Sequence, residues 1–122
     1  MTQAKEENTY GGFGRIEVVP EVLLSIAEQV IHETSGVIGM APVPSGRRGR
    51  KALMHEGITL EMSENQTVFD LFLVMDPTQS IMENSRKLQS SLVDAVDKMI
   101  GIPVHAVNIH VEDVAYPASE TV

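Results

Sequence analysis

The sequence predicts an α+β fold, a two-layer sandwich in which a four-stranded sheet carries two helices on one face in the order βαββαβ. Two segments repeat apolar residues at the helical spacing of 3.6, and four segments alternate polar and apolar residues. Each helix has one apolar face and each strand has one strongly apolar face. Packing both helices on the same side of the sheet buries all of these faces together.

The first strand and the first helix follow each other directly. A strand is predicted over residues 13–19, because apolar Ile16 and Val18 alternate with charged residues. Pro20 suits the first position of a helix, and Gly36 is the expected C-terminal stop. The apolar face of this helix comprises Val22, Leu23, Ile26, Ala27, Val30 and Ile31.

The next two strands are predicted to form a β-hairpin. Ile58, Leu60 and Met62 alternate with polar residues, and a turn of about four or five residues precedes the returning strand at 68–75. The returning strand is apolar on both faces except at Asp70. A strand of this kind is usually central, with its second face at least partly covered.

The second helix and the last strand complete the order. Ser80 and Glu83 form a capping box, and Gly101 and Pro103 end the helix. Its apolar stripe comprises Ile81, Leu88, Leu92, Ala95, Val96 and Met99. The last strand is predicted over 104–114, where three residues face inward: Val107, Ile109 and Val111.

The remaining segments are predicted as tails and loops around a single domain. Residues 1–12 form a flexible N-terminal tail, 13–114 the domain, and 115–122 a C-terminal tail. A basic loop at about 42–56 is expected to be exposed and mobile, and 51–57 is interpreted as one helical turn or as loop.

Composition limits the classes of function. Seventeen acidic residues against nine Lys and Arg argue against a protein that covers nucleic acid with its whole surface. The absence of cysteine excludes a disulfide framework and a thiolate site, and it fits a cytosolic protein. The polar N-terminus does not resemble a signal peptide, and no apolar run approaches the roughly 20 residues that span a bilayer.

The titratable residues do not form a recognisable catalytic or metal-binding motif. His32, His55, His105 and His110 lack the spacing of a zinc enzyme and are interpreted as surface or edge residues. Asp70 interrupts an apolar strand and is expected to face solvent or a salt-bridge partner. We therefore expect no enzyme activity, no cofactor, no metal and no small-molecule substrate.

The stretch PSGRRGRKAL concentrates nearly half of the cations of an acidic chain. The four cations are Arg47, Arg48, Arg50 and Lys51. Three interpretations stay open: a Gly-x-x-Gly loop that binds nucleic acid, a loop that contacts anionic lipid or an acidic partner, and a solvated loop that offsets the acidic field. The extended, proline-broken sequence before Gly46 weakens the first, because the nucleic-acid-binding loop joins two helices.

A second candidate partner-binding site lies on the sheet face that the helices do not cover. Phe72 and Val74 belong to this face, and the polar tails are poor candidates to cover them. We expect this face, or an adjacent strand edge, to contact another copy or a partner, because large exposed apolar patches are uncommon on monomers.

The ordered motifs resemble the alkaline shock protein family, the envelope stress response family of mainly Gram-positive bacteria. The opening motif is carried by Gly14, Arg15, Ile16, Val18, Pro20, Glu21, Val22, Gly36, Val37, Gly39 and Met40. DLFLVMD and GIPVHAVNIHVEDV are similar to later family segments, so the resemblance covers about residues 13–114. His55, Glu56 and Gly57 depart from the usual Lys-Gly of the family.

The resemblance implies a non-enzymatic cytoplasmic scaffold linked to cell-envelope homeostasis and to envelope or alkaline stress. Such a protein self-associates as a homo-oligomer and is held peripherally at the membrane by a membrane-anchored partner. The alternative is a nucleic-acid-binding module that uses the basic Gly-x-x-Gly loop.

Overall fold

A computed structural model describes residues 13–45, 52–64 and 66–118. The described residues form an α+β fold in the order αββββαβ, which corrects the predicted order βαββαβ. The helices are α1 (Glu21–Glu33) and α2 (Ile81–Met99). The strands are β1 (Val37–Met40), β2 (Leu53–His55), β3 (Ile58–Ser63), β4 (Gln66–Met75) and β5 (Ala106–Val114).

Strand β4 is the centre of the sheet, as its two apolar faces predicted. On one side β5 runs parallel to it, with Asp70 beside Asn108. On the other side β3 pairs with the first part of β4 and β1 with the last part, both antiparallel, and β2 flanks β3. The parallel pair is joined by α2, because parallel neighbours need a long crossover.

A close backbone approach marks the point where β1 and β3 meet along β4. The Ala41 amide donates to the Phe72 carbonyl, and the Phe72 amide donates to the Gly57 carbonyl, both at 2.8 Å. A Cβ at Gly57 would lie 2.6 Å from the Ala41 oxygen and 2.7 Å from the Phe72 oxygen. Glycine is therefore required where three strands converge.

The helices end close to the predicted residues, but their buried faces differ in part. Val22 is exposed and Leu24 is buried, which corrects the predicted face of α1. The Ser80 hydroxyl accepts a hydrogen bond from the Glu83 amide at 3.1 Å, as the capping box predicts. Met99, placed in the apolar stripe of α2, is 63% exposed.

The main core lies between the two helices and one face of the sheet. Leu88, predicted in the apolar stripe of α2, is fully buried, and so is Leu71 of β4, which lies in the same core cluster. The β4 residues that face the helices are all buried: Phe69, Leu71, Leu73 and Met75. Of the β5 residues predicted to face inward, Val107 is buried, Ile109 is half-buried and Val111 is exposed.

Two predictions about secondary structure are wrong. Residues 13–19 form no strand, and Ile16 is 74% exposed. Residues predicted as loop or helical turn form β2, where Leu53 pairs with Leu60 of β3. A pattern of alternation cannot show that a partner strand is within reach, and three residues are too few for a pattern to appear.

The segment 42–56, predicted as an exposed basic loop, includes described residues at both ends that belong to the folded domain. Val43 is 6% exposed, and Leu53–His55 is paired in the sheet. The predicted N-terminal tail 1–12 and residues 119–122 of the predicted C-terminal tail lie outside the described residues.

Candidate functional site

The sheet face opposite the helices was the first candidate site. Phe72 is 1% exposed and packs with buried Ala41 and Val43, and Val74 is half-buried beside them. The premise that Phe72 lacks a cover within its own chain is therefore wrong, whereas contact of this face or an adjacent strand edge with another copy or a partner stays a prediction. The chain supplies the cover itself, because the residues that follow β1 fold over this face of β4. That Val74 contacts a partner stays a prediction.

A histidine–aspartate pair links β4 and β5 on the same face. His110 Nε2 lies 2.8 Å from Asp70 Oδ1, and the two side chains are 23% and 20% exposed. The His110 ring also stacks on Phe72 with a centroid distance of 4.4 Å and an interplanar angle of 10°. Asp70, which was expected to face solvent or a salt-bridge partner, thus has a hydrogen-bond partner in His110. The contact between Asp70 and His110 joins the parallel strands β4 and β5 and helps to hold them in register.

A buried carboxylate orders the connection between β4 and α2. Asp76 Oδ1 accepts hydrogen bonds from the Thr78 hydroxyl at 2.7 Å and the Thr78 amide at 2.9 Å. The Thr78 hydroxyl, followed by the Thr78 amide, holds the pKa of Asp76 below its ordinary value. The Asp76 amide also donates to the Gly36 carbonyl at 2.9 Å, so this turn is tied to the end of α1.

A half-buried amide network extends this connection. Gln79 Oε1 accepts from Asn84 Nδ2 at 3.0 Å and from Ser35 Oγ at 3.1 Å. Gly36 has a φ of +85° and leaves no room for a Cβ beside the Asn84 amide. Asn84 carries no signal in the sequence, because a polar residue in the first turn of a helix is ordinary. The network joins two loops and explains why Asn84 is buried.

Three side chains that are far apart in sequence converge between α1 and the β2–β3 turn. His55 Nε2 lies 3.2 Å from Glu28 Oε1, with side chains 44% and 34% exposed. Glu56 has a left-handed φ of +51°, and the three groups place one ligand atom each within 4.8 Å of one another. This arrangement could hold a cation, although none was expected from the sequence. The hydrogen bond with Glu28 already accounts for the position of His55.

The four candidate cations of the basic stretch lie outside the described residues, so their role stays a prediction. The flanking described residues are exposed Ser45 and half-buried Ala52. In the part of the chain that the structure describes, no helix is both long enough and apolar enough to cross a membrane.

The fold defines a small α+β domain with one helical layer on a mixed sheet. Residues 8–116 match the alkaline shock protein 23 family, which is described as having a cell envelope-related function. The chain belongs to this family, and the resemblance seen in the motifs is confirmed.

Two curated relatives are similar to this chain over most of their own length. The uncharacterized protein YloU of Bacillus subtilis is 25% identical over 107 residues, covering 84% of this chain and 89% of YloU. The uncharacterized protein Spy1535 of Streptococcus pyogenes serotype M6 is 28% identical over 102 residues, covering 83% of this chain and 79% of Spy1535. Neither name indicates a catalytic function.

Among solved structures, a zinc form of a MamM CTD variant shares 13% identity with this chain. The match covers 83% of this chain and 91% of that one, with a TM-score of 0.47. This score is too low to carry an argument about fold or function.

Proposed function

We propose that this protein is a non-enzymatic scaffold or interaction protein of cell-envelope homeostasis and envelope or alkaline stress. It acts in the cytoplasm through self-association and is held peripherally at the membrane by a membrane-anchored partner. The observation that carries the proposal is the family match over residues 8–116, with its cell envelope-related function.

The basic stretch is the proposed contact with an acidic partner or with anionic lipid. It lies in a chain with a formal net charge of -8, and each cation near an anionic membrane surface contributes roughly 1 kcal/mol. Its flanks belong to the folded domain, since Val43 is buried and Leu53 is paired in the sheet. A segment joined to the fold at both ends can contribute charge without contributing to the core.

The experiment that tests this function is affinity purification from the native cell with membranes retained. The full chain is compared with a variant in which Arg47, Arg48, Arg50 and Lys51 are all changed to Gln. The matched control changes Arg86 and Lys87 to Gln, because both are exposed cations on α2.

We expect the unmodified chain and the control to recover a membrane-anchored protein, and the basic-stretch variant to recover much less. The melting temperature of each variant should stay within a few degrees, because exposed charges contribute little to stability. A chain that neither self-associates nor fractionates with membranes would overturn the proposal. RNA or DNA binding that weakens steeply with salt would favour the nucleic-acid alternative.

A further inference from the structure

The segment 13–19, here named the arm, has the sequence of a strand but no strand partner among the residues that the structure describes. Ile16 and Val18 alternate with Arg15 and Glu17 directly before α1. Among the described residues, no backbone hydrogen bond joins residues 13–18 to the sheet. Ile16 is 74% exposed and Phe13 is fully exposed. A segment whose backbone groups are not bonded to the sheet and whose apolar side chains are exposed is suited to pair with a free sheet edge.

A free sheet edge is present along β5. In the described part of the chain β5 pairs with β4 alone, so its outer edge is open over the nine residues Ala106–Val114. Val111 and Val114 on this strand are 41% and 46% exposed. Val111 lies beside Leu73, which is fully buried, so it continues the core face of the sheet beyond the cover of the helices.

We propose that the arm of one copy adds to the β5 edge of a second copy as an antiparallel strand. Setting Ile16 opposite Val111 brings Val18 opposite Ile109 on the face that carries the core. The register is regular over residues 109–111, and the pairing of β5 with β4 becomes irregular at Glu112, because Leu73 pairs with Val111 and Val74 with Asp113. The two apolar residues of the arm therefore both match the regular part of this edge in a single register.

The arm of a copy does not occupy the β5 edge of its own chain. The arm leads directly into α1, and α1 packs on β1, β2 and β3, whereas β5 lies on the other side of β4 beneath α2. A second copy presents the same edge without this constraint. If two copies give their arms to each other, the contact closes a dimer. If each copy gives its arm to the next one, a longer assembly forms. Ile16 becomes buried in both cases.

This inference rests on the self-association in the proposed function, and it names the contact that produces it. Cross-linking tests the contact directly, because the chain has no cysteine of its own. Copies carrying Ile16→Cys are mixed with copies carrying Val111→Cys and oxidised. The control mixture pairs Met82→Cys with Val111→Cys, since Met82 is 60% exposed and belongs to α2, not to the arm or to β5.

We expect a disulfide-linked heterodimer from the Ile16 and Val111 mixture and only background from the control. Ile16→Asp should weaken self-association at least about tenfold, whereas Met82→Asp should leave it unchanged. Mixing Ile16→Asp with Val111→Asp should restore heterodimers, because one intact arm then meets one intact edge. All three positions are exposed, so these variants should keep the far-ultraviolet circular dichroism of the unmodified chain.

Light scattering after size-exclusion chromatography separates the two ways of failing. If the unmodified chain associates and Ile16→Asp does not reduce its mass, the arm contact is wrong and the proposed self-association stands. If the unmodified chain stays monomeric at high concentration, both are wrong. A further variant carries both Ile16→Cys and Val111→Cys in one copy. If its disulfide forms within that copy and not between copies, the proposal is also overturned.

Discussion

Gly57→Ala is the substitution that most directly tests the junction of β1, β3 and β4. The new Cβ would lie 2.6 Å from the Ala41 oxygen and 2.7 Å from the Phe72 oxygen, whereas ordinary contact begins at 3.4 Å. Both oxygens belong to the backbone, so the strands themselves must separate by roughly 0.7–0.8 Å, the shortfall from normal carbon–oxygen contact.

The loss in free energy of unfolding follows from the backbone hydrogen bonds that this separation of the strands would disturb. Two backbone hydrogen bonds of 2.8 Å cross the junction, from Ala41 to Phe72 and from Phe72 to Gly57. Each contributes about 0.5–1.5 kcal/mol net, and overpacking a close-packed site costs about 1–3 kcal/mol. We therefore expect Gly57→Ala to lower the free energy of unfolding by about 1–3 kcal/mol, a large part of the roughly 5–15 kcal/mol that stabilises a typical domain.

Gly39→Ala is the matched control. Gly39 lies in β1 beside the same junction, but a Cβ there meets no atom within 4 Å and its φ is not positive. Urea denaturation followed by circular dichroism should show Gly39→Ala unchanged or stabilised by up to about 1 kcal/mol, because alanine restricts the unfolded chain. Equal stabilities for the two variants would refute the close approach at Gly57.

Two further substitutions test the core and the turn before α2. Leu88→Ala should cost about 2–5 kcal/mol in urea denaturation, since Leu88 is fully buried, whereas Val93→Ala at a 38% exposed position of the same helix should cost far less; similar losses would contradict the assigned face. Asp76→Asn should destabilise the protein at neutral pH, because the hydrogen bonds from Thr78 favour the ionised carboxylate. A carboxyl group whose pKa is lowered by folding stabilises above its unfolded pKa, and this contribution is lost as pH falls through the folded pKa. The difference between Asp76→Asn and the unmodified chain should therefore shrink in acid, and a difference independent of pH would contradict the role of the charge.

Local signals predicted the helices and the hairpin. The capping box at Ser80 and the stop at Gly101 predicted the two ends of α2 closely, because both signals act through residues within one helical turn. The hairpin was predicted correctly in its strands, although its turn is tighter, with Ser63 paired to Gln66. Family membership also followed from sequence, because the motifs retain their order along the chain.

The candidate sites could be predicted only in part. Phe72 was placed on the correct face of β4, but its cover by Ala41 and Val43 depends on the path of the chain after β1. The approach of Glu28 to His55 joins residues 27 positions apart, and no spacing rule connects a helix to a strand at that separation. Periodicity indicates which side of an element is apolar and leaves open what lies against it.

The order of residues was enough to establish two amphipathic helices, a hairpin around an apolar strand and membership of a family. The folded chain was needed to show that β1, β3 and β5 all pair with β4 and that residues 13–19 stay outside this sheet. The physical reason is that helix and strand periods arise from the backbone within a few residues. Strand pairing joins segments that are distant along the chain, and it depends on which of several apolar strands reaches the central one with its loops closed and its face covered.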